Sequence, residues 1–413
     1  MIARPQPLGV LPWPAGMLVL PSADAADEAL RATLTRGITP DAWLVHWEFV
    51  RLALADSPAA AADRISGDDD AARYNRAVLI GGDGAWSDFT PSDLDLQVLA
   101  GVAAYSVGVT QSPPDPGSAS GEVRAVAYSA VASHALENAD PATAVNALRE
   151  GAAAARDGGS MILGASLLAT AAELQRERLG DPAAAVADVD AALRLIPRQV
   201  PDEDRFYPPP ELWGELHVTR ALARQEMATR NPGLLLAVTQ DLTEALKVFS
   251  EEDFPEQFAA CNSHLALAYL VMPMSTEGDR LRVGVAVTSL RAALRVYQPD
   301  THPALWASTQ MNLANALQYL PSVHQEENLD EAVQLYEQLL QYRTPENDPL
   351  GTARILANQG NALGHLGVFT DARDRLVRAR ALFEEYGDEQ GVATVDEIAA
   401  GLEDAATAAR GGA

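Results

Sequence analysis

The chain has 413 residues with 48 % hydrophobic and only 6 % aromatic side chains, so a packed core is within reach and global disorder is excluded. Lys+Arg 30 against Asp+Glu 57 gives a net charge of −27, which argues against nucleic acid and anionic membrane surfaces as partners. The single cysteine, Cys261, excludes an intrachain disulfide and a cysteine-based zinc cluster, and its setting among Phe258, Ala259, Ala260 and Leu265 is that of a buried small hydrophobe.

At the start, the apolar runs Leu8–Leu11 and Met17–Leu20 flank a Pro-Trp-Pro-Ala-Gly turn, which suits a small hairpin or a loop packed on the first helix. The prolines and the lone Arg4 make a poor signal peptide, and no run of apolar residues is long enough to span a bilayer, so a cytoplasmic location is expected. Helices are expected next at about Ala23–Thr35, Pro40–Ala55, Ala71–Ile80 and Pro91–Ser106. Thr39-Pro40 and Thr90-Pro91 have the form of an N-cap followed by proline in the first turn. Asp68-Asp69-Asp70 reads as a helix start where acids suit the dipole, in preference to a metal site. His46 and Glu48 fall on different sides of a helix, whereas His134 and Glu137 share a face. Gly81-Gly82-Asp83-Gly84 lacks the lysine of a phosphate loop, and no nucleophile elbow or zinc-protease motif is present. No cofactor and no metal are expected. Ser112-Pro113-Pro114-Asp115-Pro116-Gly117-Ser118 then breaks the pattern, placing a linker at 111–121 after a helical N-terminal region at 1–110. That region carries Trp43, Trp47, Phe49, Leu52 and Leu54, too apolar to stay exposed, and should pack on the first helices beyond the linker.

Past residue 121, helices of one form recur: Ala144/Leu148/Gly151, Ala185/Val189/Ala192, Val238/Leu242/Ala245, Ala286/Leu290/Ala293, Ala332/Tyr336/Leu339 and Ala372/Leu376/Ala379. Their last members lie 41, 53, 48, 46 and 40 residues apart, a loose period that implies an array of helical hairpins. Pro303, Ala307, Asn312, Asn315, Ala316, Leu317 and Leu320 each return 46 residues later as Pro349, Ala353, Asn358, Asn361, Ala362, Leu363 and Leu366.

The segment Leu356-Ala357-Asn358-Gln359-Gly360-Asn361-Ala362-Leu363 resembles the first helix of a tetratricopeptide (TPR) unit, and Gly367, Phe369, Ala372, Leu376 and Ala379 resemble its turn and second helix. Gly180, Ala185, Val189, Ala192 and Pro197 fit a second helix as well. Longer inner turns at Met272–Asp279 and Pro321–Asn328 stretch the period beyond the family's ~34 residues, and Trp213–Met227 matches poorly. The resemblance covers roughly residues 120–385 and implies an all-α fold: a right-handed TPR-like solenoid of antiparallel hairpins at 122–385, capped by a helix at 386–409.

It also implies a concave groove lined by first helices, and a scaffold or adaptor that binds a peptide or protein partner there. Asn312 and Asn358 fall where the family places a concave asparagine that can hold a peptide backbone; helix packing is the equal alternative for them and for Asn315 and Asn361. Arg354 and His365, on the helix of Asn358, are candidates to grip a carboxylate, although a helix-surface histidine is commonly just solvated. Trp306 suits an inter-repeat core position or a groove-edge anchor. The competing class is an enzyme or small-molecule protein with a pocket where 1–110 meets the repeats, and self-association through the solenoid ends is compatible with either.

Overall fold

The computed structural model describes residues 14–21, 23–35, 40–81, 85–86, 89–196, 210–273, 281–321 and 324–411. Leu8–Leu11, Thr39, the glycine run 82–84, Pro197 and most of the turn 272–279 lie outside the described residues, as do Ser322 and Val323 in the turn 321–328. The described residues form eighteen α-helices, with no strand among them. They fall into two compact units, Met1–Thr229 and Arg230–Ala413.

The first unit opens with a 3-10 turn, Ala15–Met17. Leu18 is extended, and at the next residue the Asn75 side chain both donates to Val19 O and accepts from Val19 N at 2.8 Å. This amide satisfies the Val19 backbone as a neighbouring strand would. Next come helices α1 (Ala25–Thr35), α2 (Glu48–Leu54), α3 (Pro58–Asp63), α4 (Asp70–Ile80) and α5 (Leu94–Ser106). Three differ from the sequence reading. The helix expected from Pro40 begins only with a 3-10 turn at Val45–Trp47, and α3 is an unexpected six-residue helix, too short to show a hydrophobic period. Helix α5 starts three residues late because the Asp93 carboxylate, accepting from Leu96 N at 3.0 Å, is a better cap than Thr90. Asp69 caps α4 in the same way, through Ala72 N at 2.8 Å.

Two hairpins complete the first unit: α6 (Gly121–Glu137) with α7 (Pro141–Asp157), and α8 (Met161–Glu177) with α9 (Pro182–Leu195). Helix α10 (Pro210–Ala228) packs on α9 and α8. Asp140-Pro141 and Asp181-Pro182 start the second helices alike: the carboxylate accepts from the third amide on, at 3.0 Å, and the proline has no N–H to orphan. A single hydrophobic core runs from Ala15 through Trp47, Tyr74 and Leu99 to Leu168 and Leu216, joining the N-terminal helices to the first repeats. The proline-rich segment takes part: Pro114 lies where a Cβ on Gly101 would come within 2.9 Å of it.

The second unit contains α11 (Leu235–Ala245) and three hairpins. These are α12 (Pro255–Val271) with α13 (Leu281–Val296), α14 (Pro303–Gln318) with α15 (Gln325–Tyr342), and α16 (Pro349–His365) with α17 (Phe369–Glu385). Helix α18 (Glu389–Gly411) lies on α17 and α16. Ala259, Ala307 and Ala353 occupy the same place in successive first helices and are all fully buried. Gly360 is where the α16 and α17 backbones meet, 3.1 Å separating its absent Cβ from Ala372 O. Gly367 closes α16 in the left-handed region at φ 79°, which glycine enters without strain. From α6 onward each unit thus stacks TPR-like hairpins whose cores are alanine and leucine stripes pressed together.

Candidate functional site

Four residues of α16, Arg354, Asn358, Asn361 and His365, recur at spacings of four, three and four, and so make one stripe along the helix. Forty-six residues earlier, α14 carries Ser308, Asn312 and Asn315 in the same places, with Tyr319 at its C-cap. Forty-eight residues before those, α12 carries Ala260, His264, Leu267 and Val271. The three first helices are spatial neighbours in turn. Their shared face changes from Ala260, His264, Leu267 and Val271 on α12, through the amides of α14, to amides flanked by Arg354 and His365 on α16. The exposed end of the stripe is formed by Val271 at 62 %, Tyr319 at 64 % and His365.

In the middle of this face the amides are tied together. The Tyr336 phenol, fully buried on α15, donates to Asn315 Oδ1 at 2.6 Å and accepts from Gln318 Nε2 at 2.7 Å. Asn358 Nδ2 donates to Asn315 Oδ1 at 2.9 Å, and Asn361 Nδ2 donates to Gln318 Oε1 at 3.0 Å. Gln325 Nε2 holds the backbone carbonyl of Gln318 at 3.0 Å. Asn315, Asn358 and Asn361 are half-buried, and each keeps one end of its amide without a hydrogen bond among the described residues. Asn312, also half-buried, makes no side-chain hydrogen bond among them at all. Arg354 and His365 are exposed; the Arg354 guanidinium lies 4.0 Å from Asp388 and is largely solvated, a pairing worth little. Trp306 is a core residue, stacked edge-on against Tyr342 with centroids 5.6 Å apart and packed between two repeat cores.

Burial drives the Tyr336 phenol well above its ordinary value, so it remains a neutral donor. Sequence reading placed Tyr336 correctly in the repeating core but could not see the use of its hydroxyl, and it passed over Gln318. A signal was present: Gln318 stands three residues after Asn315, as Asn315 does after Asn312. Charge is also distinctive here. Neither α14 nor α16 contains a single Asp or Glu, in a chain with 57 of them.

The first unit holds polar constellations of its own. Asp27 is fully buried. Its Oδ1 accepts from Trp47 Nε1 at 2.7 Å and lies 2.7 Å from His46 Nε2, while Oδ2 accepts from Ala23 N at 2.6 Å. Burial would raise this carboxyl, but the donors Trp47, Ala23 and His46 outweigh it and hold the group below its ordinary 3.8. His46 faces Asp27 while Glu48 turns to Arg51, the opposite orientations their spacing requires. His46 borders a cleft of about 230 Å³ with Phe49, Arg64 and Asn75. A larger cleft of about 560 Å³ lies along the α5–α6 seam, lined by Tyr105, Ser129, Ser133 and Glu137. There Tyr105 OH donates to Glu137 at 2.9 Å and approaches His134 Nδ1 at 3.3 Å. No group of three or more His, Cys, Asp or Glu able to hold a metal ion occurs among the described residues. None of their helices is long and apolar enough to cross a membrane.

No family model matches this chain, and neither does any curated protein. Among solved structures it is similar to BtubC (BKLC) from P. vanneervenii, with 19 % identity over 61 % of this chain and 92 % of that one and a TM-score of 0.43. It is similar to the apo form of RapI, with 11 % identity over 87 % and 96 % and a TM-score of 0.45. It is also similar to the TPR domain of P58(IPK), with 14 % identity over 93 % and 94 % and a TM-score of 0.27. Its own consecutive hairpins, with alanine and glycine where the helices cross, make this chain a TPR-like helical-repeat protein.

Proposed function

We propose that the protein is a non-catalytic cytoplasmic scaffold that holds an extended segment of a partner protein against the first-helix face of α14 and α16. The observation that supports this most is the amide stripe itself. Asn312, Asn315, Asn358 and Asn361 stand in two matching rows, each with polar atoms not used by the described residues, on two helices free of acidic residues. An amide offers both a donor and an acceptor, the two groups that a peptide backbone presents. Arg354 and His365, the basic side chains at the ends of the α16 row, are hydrogen-bond donors suited to a carboxylate on the bound segment.

The test begins with an affinity pull-down from native cell extract, the captured partner being identified by mass spectrometry and titrated. Losing one amide that pairs with a buried peptide group costs about 1–2 kcal/mol of binding. The Asn312→Ala/Asn358→Ala double variant should therefore bind roughly thirty- to several-hundredfold more weakly, at ~1.4 kcal/mol per decade. Alanine suits a helix interior, and the internal bonds lost are those of Asn358 to Asn315 and, weakly, to Met311, so the variant should stay folded. Unchanged affinity for the partner in a folded double variant removes the reading.

A further inference from the structure

The seam between α5 and α6 gathers groups that suit a cation, and the groove proposed for α14 and α16 uses none of them. We infer that the cleft along this seam is a second binding site, which takes a small aliphatic polyamine, with the methylene stem over its apolar floor and the ammonium groups on Glu137 and on the hydroxyl oxygens of its rim. The inference is independent of the groove.

The two helices run side by side in the same direction. At their starts Asp95 Oδ1 accepts from Ser120 N at 3.2 Å, and at their ends Tyr105 OH donates to Glu137 Oε2 at 2.9 Å. Their C-terminal ends therefore lie together, where the carbonyl poles of two helix dipoles favour positive charge. Tyr105, Ser106 and Glu137, from those ends, line the cleft of about 560 Å³. Its floor is apolar: Met17, Val102, Val126 and Ala130 are all buried. Its rim is made of hydroxyls whose bonds run one way. Ser106 Oγ donates to Val102 O at 2.9 Å, Ser129 Oγ to Ala125 O at 3.2 Å and Thr110 Oγ1 to Ser112 O at 3.2 Å, and a backbone carbonyl has no proton to return. Each hydroxyl has a single proton, so these three keep only lone pairs for a ligand. Ser133 and Gln111, which also line the cleft, can accept as well as donate. Tyr105 gives its proton to Glu137, and burial together with that carboxylate raises the phenol, so the proton is kept. His134 Nδ1 approaches the same carboxylate oxygen at 3.9 Å, while Glu137 Oε1 has no hydrogen bond among the described residues. No lysine or arginine lines the cleft. A matching ligand brings donors and positive charge, and covers the apolar floor between them. Eight residues of α6 separate Ser129 from Glu137, about 12 Å along the axis, so one ammonium cannot serve both and a chain bearing two or more can. The net charge of −27 raises the local concentration of such a polycation.

Calorimetric titration of the full-length protein with spermidine, at about 0.15 M salt to screen the general surface charge, tests the site. Glu137→Gln should weaken spermidine about tenfold or more, the size of a charge-assisted hydrogen bond. Glu403→Gln, at an exposed position on α18, changes the net charge equally and should bind like wild type. Butylamine, with one ammonium, should bind at least about tenfold more weakly than spermidine for the same reason. Glu137 is exposed, so its variant should fold normally, which far-UV circular dichroism checks. The position of the ligand is read in protein labelled with ¹³C at the methionine methyl groups. The Met17 signal, assigned through Met17→Leu, should move on addition of spermidine, and those of Met272 and Met311 should stay. Absence of saturable binding, equal affinities in the two glutamine variants, or an unmoved Met17 signal overturns the inference. Butylamine binding as tightly as spermidine overturns the polyamine and assigns the cleft to a single ammonium, such as the lysine side chain of a partner.

Discussion

Glycine at two places in the second unit should respond to alanine with opposite signs. Gly360 is buried in α16 where α17 crosses it. A Cβ there would stand 2.9 Å from Leu376 Cγ, 3.0 Å from Leu376 Cδ2 and 3.1 Å from the Ala372 carbonyl oxygen. Leu376 is 2 % exposed and has nowhere to move, and the carbonyl belongs to the α17 backbone. Gly401, exposed on α18, would have nothing within 4 Å of a new Cβ. Alanine is worth about 1 kcal/mol over glycine in a helix interior, and both sites collect that gain. Only Gly360 must also set it against overpacking of about 1–3 kcal/mol. Gly401→Ala should thus stabilise by up to ~1 kcal/mol, and Gly360→Ala should destabilise by up to ~2 kcal/mol. Urea unfolding followed by far-UV circular dichroism, on the full-length chain with each substitution, measures both. Equal upward shifts of the two midpoints would mean that α16 and α17 do not approach as closely as described, and the small-residue account of the hairpin would be wrong.

Two further outcomes concern buried titratable groups. Asp27→Ala strands the Trp47 and Ala23 donors and should cost on the order of 3 kcal/mol in chemical denaturation. Because the folded-state carboxyl of Asp27 lies below 3.8, its contribution is present above that pH and lost as pH falls through the depressed value; Asp27→Asn should flatten the acid limb of the stability curve, and an unchanged limb would count against the charged form. Cys261 is 1 % exposed with its thiol pushed up to about 12, so iodoacetamide at mildly alkaline pH should leave the folded protein unlabelled and react fully in urea. Rapid labelling of the folded chain would contradict its burial.

The repeats were legible because their physics is local. A hairpin that must bury one stripe repeats its alanines at helical spacing; Ala144, Ala185, Ala286, Ala332 and Ala372 are all fully buried. The N-terminal helices were read less well because their boundaries are decided by competition. Thr90-Pro91 and Asp93 both offer a cap, and only the fold shows that Asp93 receives the amide. Helix α3 is short enough that no period can emerge. The buried carboxylate of Asp27 was silent in sequence for another reason: its partners His46 and Trp47 lie nineteen and twenty residues away, brought to it by packing alone. The same holds for the amide network. The asparagines were found by their repetition, but the identity of their partners depends on how α14, α15 and α16 lie beside one another, with Asn315 and Asn358 43 residues apart.

That network bears on a choice the sequence left open, whether the repeated asparagines serve packing or recognition. The alternatives need not exclude each other, because an amide has two ends. Asn361 ties α16 to Gln318 with its nitrogen and retains its oxygen; Asn315 does the reverse with Tyr336 and Asn358. A residue used only for packing would gain from burying both ends, as the buried Gln318 does. A residue used only for recognition would be unconstrained, and ordering it on binding would cost side-chain entropy. Half-buried amides bonded at one end meet neither description. The internal bond removes the rotational freedom that a ligand would otherwise have to quench, and the free end keeps its polarity for use. Asn312 is the natural control, since it occupies the same repeat position as Asn358 without an internal bond. On this reasoning its contribution to binding should be smaller than that of Asn358, and comparing the two single alanine variants separates the effect of a pre-set amide from that of an amide alone.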